Sequence, residues 1–123
     1  MAVILLIEND PVMRPALRSL LESAGETVIT AMDVPGALAM LSHVQNVDLI
    51  IADVLMPQLN SVALVKRLRT DAHYQTLPLL MFSVKGNGQL RQQVLNAGAT
   101  DFLSAPFTVQ ELQKSVQQLL VSV

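Results

Sequence analysis

Five short apolar runs alternate with longer stretches of helical period, and this alternation limits the chain to a few folds. The runs, most of them rich in Val, Ile and Leu, cover residues 3–7, 27–30, 49–52, 79–82 and 101–104. Between them, apolar residues recur every three or four positions, as they do on the buried face of a helix. Strands joined by crossover helices run parallel, so the pattern predicts an α/β fold with a parallel sheet. We expect one domain over residues 1–123, with five strands and five helices.

Signals for helix ends mark the first and last predicted helices. In the first, one buried stripe is formed by Met13, Leu17, Leu20, Leu21 and Ala24. Gly25 follows, where a helix C-terminus favours a left-handed residue, whereas Pro15 removes a backbone donor and predicts an irregular first turn. The last helix opens with the capping box Thr108-Val-Gln-Glu111. The three helices between are predicted over residues 34–42, 62–69 and 89–96.

Composition excludes several classes of function. The chain has no cysteine, which excludes a disulfide framework, a thiolate nucleophile and a thiolate metal site. The net charge of −2 gives no broad attraction for nucleic acid, and the cluster Lys66-Arg67-Leu68-Arg69 is typical of a solvated helix face. The N-terminal apolar run, residues 2–7, is too short for a signal peptide or a membrane span. We therefore expect a cytoplasmic protein that binds neither nucleic acid directly nor a membrane.

Polar residues stand where the predicted strands end. Glu8 and Asn9 follow the first strand, Asp53 the third, Ser83 the fourth, and Ser104 ends the fifth. In an open parallel sheet the functional crevice lies outside these carboxyl ends. Clustered oxygen ligands suit a hard cation such as Mg²⁺. Because Asp forms covalent phosphoryl intermediates, the pattern predicts phosphoryl transfer to a carboxylate with the help of a divalent cation.

The same residues resemble the response-regulator receiver domains of two-component signalling. The likeness runs from residue 4 to residue 120, and its most specific parts are Glu8-Asn9, Asp53-Val-Leu-Met-Pro57, Ser83 and Gly98-Ala-Thr-Asp-Phe-Leu-Ser-Ala-Pro-Phe107. Receivers have a flavodoxin-like, doubly wound fold, so the resemblance implies the strand order 2-1-3-4-5. In that order Glu8, Asn9 and Asp53 meet at one edge of the sheet, with Ser83 beside them.

The resemblance also implies a set of site residues. By it, Asp53 is the phosphoacceptor, and Mg²⁺ is held by Asn9, Asp53 and the carbonyl of Leu55, with Glu8 acting through water. The donor is implied to be a histidine kinase or a phosphotransfer protein.

Two further positions are implied to carry the signal. Ser83 and Phe102 occupy the switch positions, where a hydroxyl moves toward the phosphoryl group and an aromatic ring follows it inward. Pro106 is implied to follow a cis peptide bond. The signal is expected to leave through the face of the fourth helix, fifth strand and fifth helix, toward a downstream output protein.

The chain departs from the receiver pattern at two positions. Ala105 stands where receivers usually have Lys, and a cation about 4 Å from a phosphoryl oxygen contributes on the order of 1 to 4 kcal/mol. Asn9 replaces the usual Asp, so Mg²⁺ binding is predicted to be weak, because ligand charge is much of what holds a hard cation. Two roles stay open for Lys85, whose side chain either reaches over the pocket or lies in solvent. Two roles also stay open for Asp10, which either adds charge to the metal site or caps the first helix.

The departures leave more than one function open. The first hypothesis is a phosphoacceptor receiver, and the second is a receiver-like interaction module that works without phosphorylation. A third, a flavodoxin-like cofactor protein, would need a phosphate-binding loop after the first strand. That loop is Glu8-Asn9-Asp10-Pro11, whose charge repels phosphate. No nucleophile is paired with a base, so we do not expect an independent enzyme.

Overall fold

The computed structural model describes residues 1–54, 61–83 and 88–121. Within them strands and helices alternate along the chain. They are β1 (Val3–Ile7), α1 (Met13–Ser23), β2 (Thr27–Ala31), α2 (Val34–His43), β3 (Leu49–Asp53), α3 (Ser61–Thr70), β4 (Leu79–Ser83), α4 (Gly88–Ala97), β5 (Asp101–Ser104) and α5 (Val109–Val121). Each predicted element is therefore present, with its ends within one residue of those expected.

The five strands form a single parallel sheet in the order β2-β1-β3-β4-β5. β1 lies between β2 and β3, with Ile7 beside Ala31 on one side and Ala52 on the other. β4 pairs with β3 and β5. The strand order reverses between β1 and β3, as it does in a doubly wound sheet. The fold class and the strand order implied by the receiver resemblance are both confirmed.

Helices cover both faces of the sheet, and alternate strand residues feed two separate hydrophobic clusters. One cluster joins the sheet to α2, α3 and α4, and its strand residues include Leu5, Ile7, Ile50, Met81 and Phe102. The other joins the sheet to α1 and α5, and its strand residues include Ile4, Leu6, Leu49, Ile51 and Phe82. β3 and β4 are buried along their whole length, which explains their continuous apolar sequences.

The helix ends follow the predicted chemistry with one exception. In α5, Glu111 N–H donates to Thr108 Oγ1 (3.0 Å) and Thr108 N–H donates to Glu111 Oε1 (3.2 Å), so the capping box is confirmed. Gly25 has φ +96°, the left-handed conformation expected after α1. α1 continues through Pro15, because this proline is the third helical residue and amides in the first turn have no intrahelical acceptor.

Arg69 connects three segments at the amino edge of the sheet. Its guanidinium donates to the carbonyls of Gly98 (2.8 Å), Tyr74 (2.8 Å) and Leu77 (2.7 Å). It also donates to Thr100 Oγ1 (3.3 Å), which accepts a bond from the first amide of β4. Burial lowers the pKa of Arg69. The end of α3, the loop before β4 and the junction of α4 with β5 are therefore held by one side chain.

Among the helices described, none has the length and apolar character needed to cross a bilayer.

Candidate functional site

The ends of β1 and β3 bring two carboxyl groups together. Ile7 and Ala52 are register partners, so the next residues, Glu8 and Asp53, lie side by side at the carboxyl edge of the sheet. By strand alternation both side chains point to the face covered by α1 and α5. Glu8 is 3% exposed and Asp53 4% exposed. Two acids are thus held in a site that is largely shielded from water.

The environment of Glu8 favours its protonated form. Glu8 Oε1 accepts a bond from Asp10 N–H (3.0 Å), whereas Oε2 is buried and has no donor among the described residues. The pKa of Glu8 is raised to about 7, mainly by burial, while the bond from the Asp10 amide acts in the opposite direction. The negative charge of nearby Asp53 is a further cause of this raised pKa.

This arrangement fits a divalent cation. A buried carboxylate oxygen without a donor, next to a second carboxylate, gives two hard oxygen ligands whose mutual repulsion a cation removes. Residues 1–54, 61–83 and 88–121 contain no group of three or more acidic or histidine side chains that could hold a metal. A cation bound here would take its further ligands from amide, main-chain or water oxygens, as is usual for Mg²⁺.

The loop between β1 and α1 is held by its own side chains. Asp10 Oδ1 accepts bonds from Val12 N–H (2.7 Å) and Met13 N–H (3.1 Å), and these amides lower the pKa of Asp10. Asp10 Oδ1 thus binds amides at the start of α1, in keeping with the capping role considered for it. Asn9 is exposed on the same loop.

Arg14 also contacts this loop, and sequence reasoning did not identify it as a site residue. Its Nη1 donates to Glu8 O (3.1 Å) and to Asn9 O (3.5 Å). A bond from a side chain to a carbonyl leaves no pattern in the sequence. The spacing of one helical turn after the acidic loop is the one signal available.

The neighbouring strand places Ser83 next to the acidic pair. Asp53 pairs in register with Phe82, and Ser83 is the following residue. Ser83 is fully buried, and its carbonyl accepts a bond from Ala105 N–H (2.9 Å). The structure thus places Ser83 at the same edge of the sheet as Glu8 and Asp53, one residue beyond the register partner of Asp53.

Two predicted features of β5 have separate surroundings. Phe102 is buried beside Met81 in the cluster under α2, α3 and α4, on the face of the sheet opposite Glu8 and Asp53. The Ala105–Pro106 bond is cis, as expected. Ala105, the residue after β5, lines an apolar groove of about 300 Å³ between α1 and the start of α5.

Two residues considered for the site, Leu55 and Lys85, lie outside the described residues.

The chain matches the family model of the response regulator receiver domain over residues 4–117. It is 33% identical to response regulator Rre1 of Synechocystis over 118 residues, which cover 95% of this chain and 51% of that protein. It is 36% identical to the transcriptional regulatory protein CpxR of Escherichia coli over 117 residues, 95% of this chain and 48% of that protein. The chain therefore spans about half the length of these curated relatives.

Solved structures agree with the sequence comparisons. The chemotaxis protein CheY4 of Vibrio cholerae superimposes with a TM-score of 0.88 at 32% identity, covering 98% of this chain and 99% of that one. The family match decides against the flavodoxin-like cofactor protein considered above. The chain belongs to the receiver domains of two-component response regulators.

Proposed function

We propose that this receiver accepts a phosphoryl group on Asp53 and passes the change on through Ser83 and Phe102. The observation that carries the proposal is the buried pair of carboxyls, Glu8 and Asp53, at the carboxyl edge of the sheet, with one Glu8 oxygen lacking a donor. A buried pair of acids is unfavourable unless something compensates its charge. A bound divalent cation would supply that compensation, and it would also offset the negative charge of a phosphoryl group transferred to Asp53.

The residues present fit the roles that the resemblance implies. Receiver domains generally bind Mg²⁺ at their acidic pocket, and here Asp53, Asn9 and the carbonyl of Leu55 would hold it, with Glu8 acting through water. Mg²⁺ neutralises charge on the phosphoryl oxygens when it is bound. Asn9 adds an oxygen but no charge, so the affinity is low.

The transfer itself needs one nucleophile and one donor. An oxygen of Asp53 forms a bond to phosphorus as the phosphorus–nitrogen bond of a phosphohistidine breaks, and the histidine nitrogen keeps the bonding electrons. The donor is a histidine kinase or a phosphotransfer protein, the partners with which receiver domains interact. A cytoplasmic location and a downstream output protein complete this proposal.

The signal is proposed to leave through β4 and β5. Ser83 follows the register partner of Asp53 and carries the hydroxyl at the carboxyl end of β4, so it is the group of this strand that we propose to move toward a phosphoryl oxygen. Phe102 lies one strand further and packs against Met81. A shift of Ser83 toward the phosphoryl group changes the packing available to Phe102, and α4, β5 and α5 form the output face.

A receiver that works without phosphorylation is the second candidate. It is favoured by Ala105, which puts a methyl group where receivers usually carry a cation. The comparisons give it no specific support.

Mass spectrometry of the intact protein tests the first candidate. With Mg²⁺ and acetyl phosphate, we expect the wild type to gain one phosphoryl group and Asp53→Asn to gain none. Asp71→Asn is the matched control, because Asp71 is exposed near the opposite edge of the sheet. The amide oxygen of the introduced asparagine can still accept the bond from His73 N–H. No gain by the wild type, with partner binding unaffected in Asp53→Asn, would favour the second candidate.

A further inference from the structure

We propose that Arg14 is a positioning residue for the metal site, because it fixes the backbone on both sides of Asn9. The inference rests on the proposed function, since it concerns how the loop after β1 presents its oxygens to Mg²⁺. Arg14 is the second residue of α1 and reaches back beyond the start of the helix to the carbonyls of Glu8 and Asn9.

The two carbonyls that Arg14 contacts flank one residue. Glu8 O belongs to the peptide plane before the Asn9 Cα atom, and Asn9 O belongs to the plane after it. Holding both planes fixes φ and ψ of Asn9, the two soft backbone angles that set the direction of its side chain. The distances are 3.1 Å and 3.5 Å, so the bond to Glu8 is the stronger of the two.

The rest of the loop is already held on either side of this contact. Asp10 N–H donates to Glu8 Oε1 (3.0 Å), and Arg14 N–H donates to Asp10 O (3.0 Å). Asp10 in turn caps α1 through Val12 N–H and Met13 N–H. These bonds fix Glu8 and Asp10, whereas Asn9 between them is exposed. The Arg14 bonds therefore act where the loop is otherwise least constrained.

Asn9 depends on orientation more than a carboxylate would. Its amide oxygen carries no net charge and attracts Mg²⁺ only weakly at a distance, so its contribution needs the oxygen to be in place beforehand. Arg14 is also an unfavourable residue for its position, because a cation in the first turn opposes the helix dipole. Its bonds to the two carbonyls offset that cost.

If Arg14 positions Asn9, its removal should change the Kd for Mg²⁺ in the opposite direction from that expected if Arg14 acts only through its charge. If Arg14 acted only through its positive charge, its removal would strengthen Mg²⁺ binding by removing repulsion. If it positions Asn9, its removal weakens binding although a repelling charge has gone. The sign of the change in Kd therefore separates the two.

Calorimetric titration with Mg²⁺ tests the inference on four proteins: wild type, Arg14→Met, Arg14→Lys and the control Arg18→Met. Arg18 lies one turn further along α1, where it is exposed and paired with Glu22 (3.2 Å). Arg18→Met removes one positive charge, as Arg14→Met does, but at a site away from the loop. We expect Arg14→Met to weaken binding roughly tenfold, the size typical of residues that orient metal ligands. Arg14→Lys keeps a positive charge and one donor nitrogen, so its Kd should lie between those of the wild type and Arg14→Met. The Kd of Arg18→Met should stay within about twofold of the wild type.

A second readout does not depend on the metal. In metal-free protein, amide hydrogen exchange at Asn9 and Asp10 should be faster in Arg14→Met than in Arg18→Met, with all titrations made well below the Tm of each variant. Unchanged or tighter Mg²⁺ binding by Arg14→Met, while the wild type binds, overturns the inference and leaves the proposed function intact. If the wild type binds no Mg²⁺ and gains no phosphoryl group, the proposed function fails, and the inference fails with it.

Discussion

At the scale of single residues, Glu8 lies in an unfavourable environment for a carboxylate. It is buried beside another acid, and one of its oxygens has no donor in the part of the chain that is described. The pKa of Glu8 is raised from an ordinary value of 4.5 to about 7, first by burial and then by Asp53. A site built to receive charge thus lowers the stability of the metal-free protein near neutral pH.

This cost has a pH dependence with a definite sign. Because the folded-state pKa of Glu8 lies above its unfolded value, its contribution to stability is fully present below pH 4.5 and is lost as the pH rises through about 7. We expect this loss to be on the order of 2 to 3 kcal/mol, and Glu8→Gln to remove it. Urea unfolding without Mg²⁺ at about pH 4.5 and pH 8 measures it, with the exposed Glu22→Gln as control. An equal pH dependence in wild type and Glu8→Gln would count against the pKa assigned to Glu8.

Ala105 gives a second test at this scale. Ala105→Lys together with Asn9→Asp should strengthen Mg²⁺ binding and increase phosphoryl uptake roughly tenfold or more, because the first adds a cation beside the phosphoryl oxygens and the second adds a ligand charge. Ser104→Lys with Asn9→Asp is the control, since it adds the same charge at an exposed position one residue earlier. Uptake from acetyl phosphate and Mg²⁺ titration are the measurements. No gain over the control would mean that the rest of the pocket does not support transfer.

At the scale of elements, the amino edge of the sheet depends on a glycine. Gly98 has φ +123°, and a Cβ atom there would lie 2.8 Å from Arg69 Cγ. Arg69 cannot easily give way, because its guanidinium is bonded to three carbonyls and a hydroxyl. The end of α4 is thus shaped by a side chain of α3.

A pair of glycine substitutions separates the cost of backbone strain at positive φ from the cost of the contact with Arg69. Gly25 also has a positive φ, +96°, but nothing lies within 4 Å of a Cβ atom built on it. We expect Gly25→Ala to lower the free energy of unfolding by about 1 to 2 kcal/mol through backbone strain alone, and Gly98→Ala to lower it by at least about 1 kcal/mol more through the contact with Arg69. Urea denaturation of both variants provides the comparison. Equal losses would show that Arg69 moves aside at little cost.

At the scale of the whole molecule, the sequence predicts elements better than contacts. The strands and helices follow from apolar periodicity, and the strand order followed from the receiver resemblance, because that order depends on contacts between distant segments. The acidic pair was predictable, since parallel strands end at one edge of the sheet. The bonds of Arg14 to two carbonyls and of Arg69 to Gly98 were not, because no side-chain pattern records them. The cap formed by Asp10 was one of two roles that the sequence left open.

Binding of Mg²⁺ should be visible in the stability of the entire domain. A ligand at ten times its Kd stabilises the folded state by about 1.4 kcal/mol, which raises the Tm of a domain of this size by roughly 3 to 6 °C. We expect this rise in the wild type and a much smaller one in Asp53→Asn, measured by thermal unfolding with and without EDTA. NaCl at equal ionic strength controls for screening by salt. A rise of the same size in Asp53→Asn would place the bound ion elsewhere.

The sheet also divides the domain into two compartments. Glu8 and Asp53 point toward α1 and α5, whereas Phe102 packs under α2, α3 and α4. The middle residues of β3 and β4 are buried and form a continuous apolar layer between the compartments. Under the proposed function, a phosphoryl group on Asp53 would act on the far compartment around the carboxyl edge of the sheet, where Ser83 ends β4, so that receiving the signal and relaying it would both depend on this edge.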